Sequence, residues 1–287
     1  MGTAVKLAFD LFKLRIGLVI GLTALAGLAI TPGPEVGLTA TVVLLLATVI
    51  SAAAAGAFNQ YVERDLDVKM ARTRGRPFVT GALNHGQGWL WLIGVMTLGS
   101  VGAAALALNP VAALYVFLGA FFYAVVYTVW LKRRTWLNIV IGGLAGSFAV
   151  LAGSAAVTPD LSPEAIWLAL VLFLWTPPHF WSLAIVHRQD YAAAGVPMLP
   201  VVAGIERSAQ VILISTVLLV AASIVPFFYG PGWVYLAGAV LGGAYFIATS
   251  IRLARSPGPV TAAANFRASL AQLSVLLVSA MVDSAIA

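Results

Sequence analysis

Nine long apolar stretches, at about residues 14–30, 37–58, 88–108, 111–131, 137–157, 164–186, 209–229, 232–251 and 266–286, set what this chain can become. Each is close to the ~20 residues that a helix needs to cross the hydrocarbon core of a bilayer. Backbone in lipid must satisfy its own hydrogen bonds, so only helices and closed barrels can span. These stretches are rich in Ala, Leu, Val and Gly and lack the polar/apolar alternation of barrel strands, which selects helices. The expected fold class is therefore all-α: a polytopic membrane protein with about nine transmembrane helices bundled around a central cavity. Composition agrees, since only 9% of the 287 residues are charged against about 25% in a soluble domain. The whole chain, 1–287, is read as one intramembrane domain.

Charge placement fixes a topology. If the loops alternate between two sides, all 16 Lys and Arg fall on one of them. Lys6, Lys13 and Arg15 flank the first stretch, and Arg64, Lys69, Arg72, Arg74 and Arg76 follow the second. Lys132, Arg133 and Arg134 follow the fourth, Arg188 and Arg207 the sixth, and Arg252, Arg255 and Arg267 lie near the last loop. The other side holds Glu35, Asp160, Glu164 and the tail residue Asp283. By the positive-inside rule the basic side is cytoplasmic, with the N-terminus inside and the C-terminus outside. That bias accounts for the net charge of +6, and no nucleic-acid motif accompanies it. The opening AVKLAFDLFKLR shows no cleavage site, so a removed signal is not expected. With zero cysteines, disulfide and thiolate chemistry are excluded.

Polarity returns abruptly at FNQYVERDLDVKMARTRGRP, residues 58–77. Asn59, Glu63 and Asp67 are spaced four and four, which on a helix continuing the second span puts them on one face. Asp65 points elsewhere on that helix and could join through a loop or a water. Converging hard oxygens suit Mg²⁺, so Asn59, Glu63, Asp65 and Asp67 are the candidate metal set. Lys69, Arg72 and Arg76 follow as candidate diphosphate contacts, because guanidinium meets phosphate oxygens in a fork. A solvated juxtamembrane loop with balanced charges has a similar composition; the register and the adjacent basic cluster favour a metal–diphosphate grip.

A second constellation lies at WTPPHFWSLAIVHRQDYAAAGVPMLP, residues 175–200. Two prolines inside a span free backbone carbonyls, and His179 follows them at a depth where polar groups are expensive and usually functional. His179 and Asp190, eleven apart, lie on nearly one stripe of a helix, with His187 near it and Arg188 and Tyr191 at the rim. His179 could equally be a packing histidine, and Asp190 an ion-pair partner of Arg188. The motifs follow spans two and six, on one side of the membrane, which suggests two halves (helices 1–4 and 5–8) sharing one mouth.

At these two stretches the sequence resembles the intramembrane prenyltransferase superfamily, the UbiA type, and is most similar to its haem-farnesylating branch. Asn59, Glu63, Asp65, Asp67, Met70, Arg72, Thr73, Arg76 and Pro77 match the first family pattern. Pro178, His179, Phe180, Asp190, Tyr191, Pro197, Leu199 and Pro200 match the second. Glu63 stands where many relatives carry Asp, and the second acidic run is reduced to Asp190 with His187 nearby. The resemblance implies Mg²⁺-assisted ionisation of farnesyl diphosphate and transfer of its farnesyl group to a vinyl group of haem B, with water addition giving haem O. It implies Asn59, Glu63, Asp67 and Asp190 as catalytic groups, Lys69, Arg72, Arg76, Arg188 and Tyr191 on the diphosphate, and His179 and His187 toward haem. It also implies a cell (inner) membrane location and product delivery to a haem A synthase or to terminal oxidase assembly. Tyr123, Tyr127 and Trp130 in the cluster FFYAVVYTVW could face the prenyl tail or the cation; interfacial belt or packing is the expected reading. Competing readings are a sister enzyme acting on a quinone precursor or chlorophyllide, a transporter, or an assembly factor.

Overall fold

The computed structural model describes residues 3–286, and every regular element among them is helical. The long helices are α2 (Leu14–Ile30), α3 (Leu38–Val62), α6 (Gly88–Ala107), α7 (Pro110–Phe121), α9 (Leu144–Val157), α10 (Pro163–Val186), α13 (Ile205–Ile224), α14 (Trp233–Arg255) and α15 (Pro259–Ile286). Short helices fill the turns: α1 (Thr3–Leu11), α4 (Arg64–Asp67), α5 (Pro77–Thr80), α8 (Asn138–Gly142), α11 (Arg188–Ala193) and α12 (Leu199–Val202). Eight of the described segments are long and apolar enough to cross a membrane. The ninth is a pair, Val5–Leu11 and Leu14–Ile30, bent by 54°. The chain is thus a multi-pass helical membrane protein. Large apolar side chains such as Leu38, Trp91, Leu98, Leu106 and Leu241 lie on the outside, where lipid, not water, is the solvent.

Caps begin helices where the sequence supplies them. Asn109 Oδ1 accepts the Ala112 N–H at 2.9 Å ahead of Pro110, and Ser162 Oγ accepts the Ala165 N–H at 3.2 Å ahead of Pro163. Each pairs a side-chain acceptor with a proline whose missing N–H costs nothing in the first turn. Asp283 serves α14 from α15, accepting from the N–H groups of Gly232, Val234 and Tyr235. Lipid tails are as apolar as Leu, so the helices are held by close packing more than by the hydrophobic effect. α2 and α9 show this best: a Cβ on Gly153 would land on the Ala24 carbonyl, and one on Gly27 on the Val150 carbonyl. No side chain fits there.

Two departures from regular α-helix matter for the site. The fourth span runs as α-helix only to Phe121 and continues to Leu131 as a π-helix, a rare form that is frequent at functional sites. α10 keeps its helical course through Pro177 and Pro178, where Ser182 Oγ takes up the Pro178 carbonyl at 2.6 Å.

Candidate active site

The acidic helix end forms because α3 stops being regular at Glu63, with φ −91° and ψ 13°, and resumes at once as α4. The turn keeps the four-residue register: Glu63 N–H donates to Asn59 O at 3.0 Å and Asp67 N–H to Glu63 O at 2.9 Å. Asn59, Glu63 and Asp67 are consequently all buried on one face, as their spacing predicts. Asp65 is not with them. It points outward, 58% exposed, in a fork with Arg133 at 2.7 and 2.8 Å. Those hydrogen bonds hold its carboxyl below the usual range and raise Arg133 in turn. The four residues do not form one metal set, and no group of three or more His, Cys, Asp or Glu among the described residues is placed to hold an ion.

Each buried acid instead faces its own cation. Lys132 Nζ donates to both Glu63 oxygens, at 2.6 and 2.5 Å, and Arg76 Nη1 to both Asp67 oxygens, at 2.8 and 2.7 Å. Lys13 Nζ donates to Asn59 Oδ1 at 2.8 Å and to Tyr123 OH at 3.0 Å. Burial pushes the Lys132 ammonium below its ordinary value, with the Glu63 carboxylate opposing. Lys13 sits in the break between α1 and α2 at φ 48°, ψ 44°, the one left-handed non-glycine among the described residues. Such a conformation costs on the order of 1 kcal/mol. Its surroundings hold it there: Gln60 Nε2 on α3 donates to the carbonyls of Asp10 and Leu11 at 2.8 and 3.1 Å, fixing the end of α1.

The π-helix forms the opposite wall. Thr128 Oγ1 donates to Tyr123 O at 2.8 Å and accepts from Asn59 Nδ2 at 3.0 Å. Tyr123 and Tyr127 stack at 5.6 Å, with Lys13 and Lys132 beside their rings at 5.6 and 5.7 Å. Tyr127 is packed in the core and Tyr123 lies against it, as the packing expectation has it, while the Tyr123 hydroxyl also meets the polar cluster through Lys13; Trp130 is exposed at the periphery. Sequence reasoning also missed Lys13, Thr128 and Lys132 as parts of this cluster. Thr128 carries no signal of its own, and Lys13 and Lys132 stand among the basic residues at the edges of apolar runs, which read first as topology markers.

The second motif meets the first across the bundle. Asp190, on α11, accepts the Ala71 and Arg72 N–H groups at 3.2 Å each. Both motifs therefore open on the same face of the membrane. His187 Nδ1 lies 4.0 Å from Asp190 Oδ2, and its imidazolium is disfavoured by burial and by Arg72. Tyr191 is fully buried against Leu66, Met70 and Met198, and burial raises its phenol. Arg188 donates through Nε to Pro200 O at 2.8 Å, so it shapes the α11–α12 turn and is not in the cluster. Lys69 and Arg72 are exposed at the rim. His179 lies deeper, on α10, bonded to Ser269 at 2.7 Å.

Residues 20–276 match the UbiA prenyltransferase family. The chain belongs to that family. Across its whole length it is 54% identical to protoheme IX farnesyltransferase 2 of Paramagnetospirillum magneticum, covering 100% of both chains. It is 46% identical to protoheme IX farnesyltransferase 1 of the same organism, over 96% of each chain. The UbiA fold is confirmed by solved structures. A digeranylgeranylglyceryl phosphate synthase aligns with a TM-score of 0.80 over 99% of each chain at 17% identity. A UbiA homologue from Archaeoglobus fulgidus bound to DMAPP and Mg²⁺ aligns with a TM-score of 0.70, over 94% of this chain and 99% of that one, at 19% identity. This chain is accordingly a membrane-embedded prenyltransferase.

Proposed function

We propose that this prenyltransferase moves the farnesyl group of farnesyl diphosphate to a vinyl group of haem B, with water addition, releasing diphosphate and haem O. The observation that carries the reading is the closed polar cluster at one end of an otherwise apolar bundle, in a chain 54% identical end to end to a protoheme IX farnesyltransferase. Glu63 and Asp67 are paired with Lys132 and Arg76, and Lys13 stands beside them on Asn59. Asn59 Oδ1, Glu63 and Asp67 supply hard oxygens of the kind Mg²⁺ takes, so the residues fit that ion. When bound, Mg²⁺ would add positive charge toward the leaving diphosphate.

The residues divide the work as follows. Asn59, Glu63 and Asp67 would hold the ion. Arg76 and Lys132 turn from the carboxylates, and Lys13 from Asn59 and Tyr123, toward diphosphate oxygens, and stabilise the charge that develops as the C–O bond breaks. Arg72 and Lys69 meet the diphosphate from the rim. Asp190 braces the loop that carries Arg72 through the N–H groups of Ala71 and Arg72. The faces of Tyr123 and Tyr127 sit where an allylic cation would benefit from ring quadrupoles. The haem vinyl group attacks the first farnesyl carbon through its terminal carbon. Water then adds to the inner vinyl carbon and loses a proton. The mouth faces the cytoplasm across the cell membrane, in keeping with the one-sided Lys and Arg, and the product passes to a haem A synthase or an oxidase under assembly.

Pigment mass spectrometry after expression in a host that makes no haem O tests the reading. A haem heavier by one farnesyl plus one water is expected. Unmodified haem B, with labelled farnesyl transferred instead to a quinone precursor, would sink it.

A further inference from the structure

Deep in the bundle, one imidazole has its protonation pattern fixed by its neighbours. His179 lies seven residues from the end of α10 at Val186, roughly 10 Å along the axis at about 1.5 Å per residue. Its ring is stacked between Trp175, at 4.0 Å, and Phe266, at 4.6 Å. Nδ1 lies 2.7 Å from Ser269 Oγ. That hydroxyl donates its own proton to the Phe266 carbonyl at 2.6 Å. A hydroxyl has a single proton, so Ser269 must accept from His179, and the histidine is the Nδ1–H tautomer. Nε2 is left with the free lone pair. Among the described residues it has no hydrogen-bond partner, and it is not among the sealed-in polar atoms. α10 packs against α2, α8, α9, α13 and α15.

We propose that His179 Nε2 is the axial ligand of the haem iron, a role that rests on the haem-farnesylating reading above. With both ring faces covered and Nδ1 engaged, the in-plane lone pair is the one part of the imidazole offered to a ligand. Trp175 and Phe266, tilted by only 17° and 27° from the imidazole plane, would present their edges to a macrocycle held at Nε2, as aromatic pairs favour. A general-base role fits less well. Stabilising an imidazolium calls for a carboxylate on Nδ1, and here the partner is a hydroxyl, whereas ligation leaves the ring neutral. Trp175 Nε1–H also donates to Ser269 O at 2.9 Å, so one turn of α15 orients both the ligand and its flanking ring. Ser269 is a positioning residue, setting the tautomer as outer-shell partners of metal-binding histidines do.

The test is a haem B titration of the full chain in lipid nanodiscs, read by the Soret band and by electron paramagnetic resonance of the ferric complex. Farnesyl diphosphate binding is measured in parallel. Wild type is expected to give an imidazole-ligated signature. In His179→Ala that signature is lost, haem binds about 10-fold or more weakly, farnesyl diphosphate binding is unchanged, and added imidazole restores the signature. Ser269→Ala keeps the signature with weaker binding. His179→Met, which preserves bulk if the alanine variant misfolds, is expected to show a thioether-type spectrum. An imidazole signature surviving in either His179 variant overturns the assignment while leaving the farnesyl transfer reading intact. Wild-type protein that binds no haem overturns both.

Discussion

The acidic cluster at the bundle mouth and the neutral seam inside it solve the same problem in opposite ways. In the seam Asn265 accepts from Thr249 at 2.8 Å and Ser250 at 2.9 Å and donates to Ser182 at 3.0 Å, while Ser250 and Thr216 lie 3.1 Å apart. These bonds join α10, α13, α14 and α15 through short, stiff, uncharged side chains. At the mouth, Glu63 and Asp67 are equally buried, but their partners are the long side chains of Lys132 and Arg76. A neutral seam gains modestly and has nothing to offer a ligand. Buried ion pairs scarcely raise net stability, yet they keep a dense field ready at one place. The seam holds helices together; the mouth holds charge in reserve.

Substitutions break this contrast in order of size. Asp67→Ala is expected to lower kcat by about 10³-fold, as losing a group that organises transition-state charge does, with the protein still inserted and folded. Unchanged turnover would remove Asp67 from the grip. Lys132→Met leaves Glu63 buried and unpaired, and is expected to cost about 3 kcal/mol of stability. Adding Glu63→Gln to that variant should recover most of the loss in a thermal-unfolding assay. A double variant no more stable than the single would separate the loss from the ion pair. Asn265→Ala is expected to cost only about 1 kcal/mol and to leave turnover intact; a loss as large as that of Lys132→Met would erase the distinction drawn here. Smallest is Asp65→Asn at the exposed fork with Arg133, below about 1 kcal/mol. Because Asp65 titrates below its ordinary range, its contribution is present above pH ~4 and lost as pH falls further. Equal stability losses for Asp65→Asn at pH 7 and at pH 3 would contradict that sign.

Much of the fold was legible because span length and one-sided charge are bilayer constraints written residue by residue. The four-residue register of Asn59, Glu63 and Asp67 was legible for the same reason, as helical periodicity survives even the irregular turn at Glu63. Asp65 was misplaced because it lies two residues off that face, and two residues on a helix point well away. Lys13, Thr128 and Lys132 were missed because their partners are 46 to 69 residues away in the chain. No local pattern encodes such pairs. The tautomer of His179 likewise depends on Ser269, a residue from the last helix.

The π-helix from Phe122 to Leu131 has an evolutionary consequence. Its wide turn is carried by bonds such as Lys132 N–H to Tyr127 O, five residues back, at 2.9 Å. Deleting one residue there would let the segment relax to an ordinary helix and swing everything beyond it by about 100°, carrying Lys132 away from Glu63. Point replacement cannot readily make or unmake such a wall. A gained or lost codon can, so indels at this segment are where lineages would be expected to acquire or abandon the chemistry in one step.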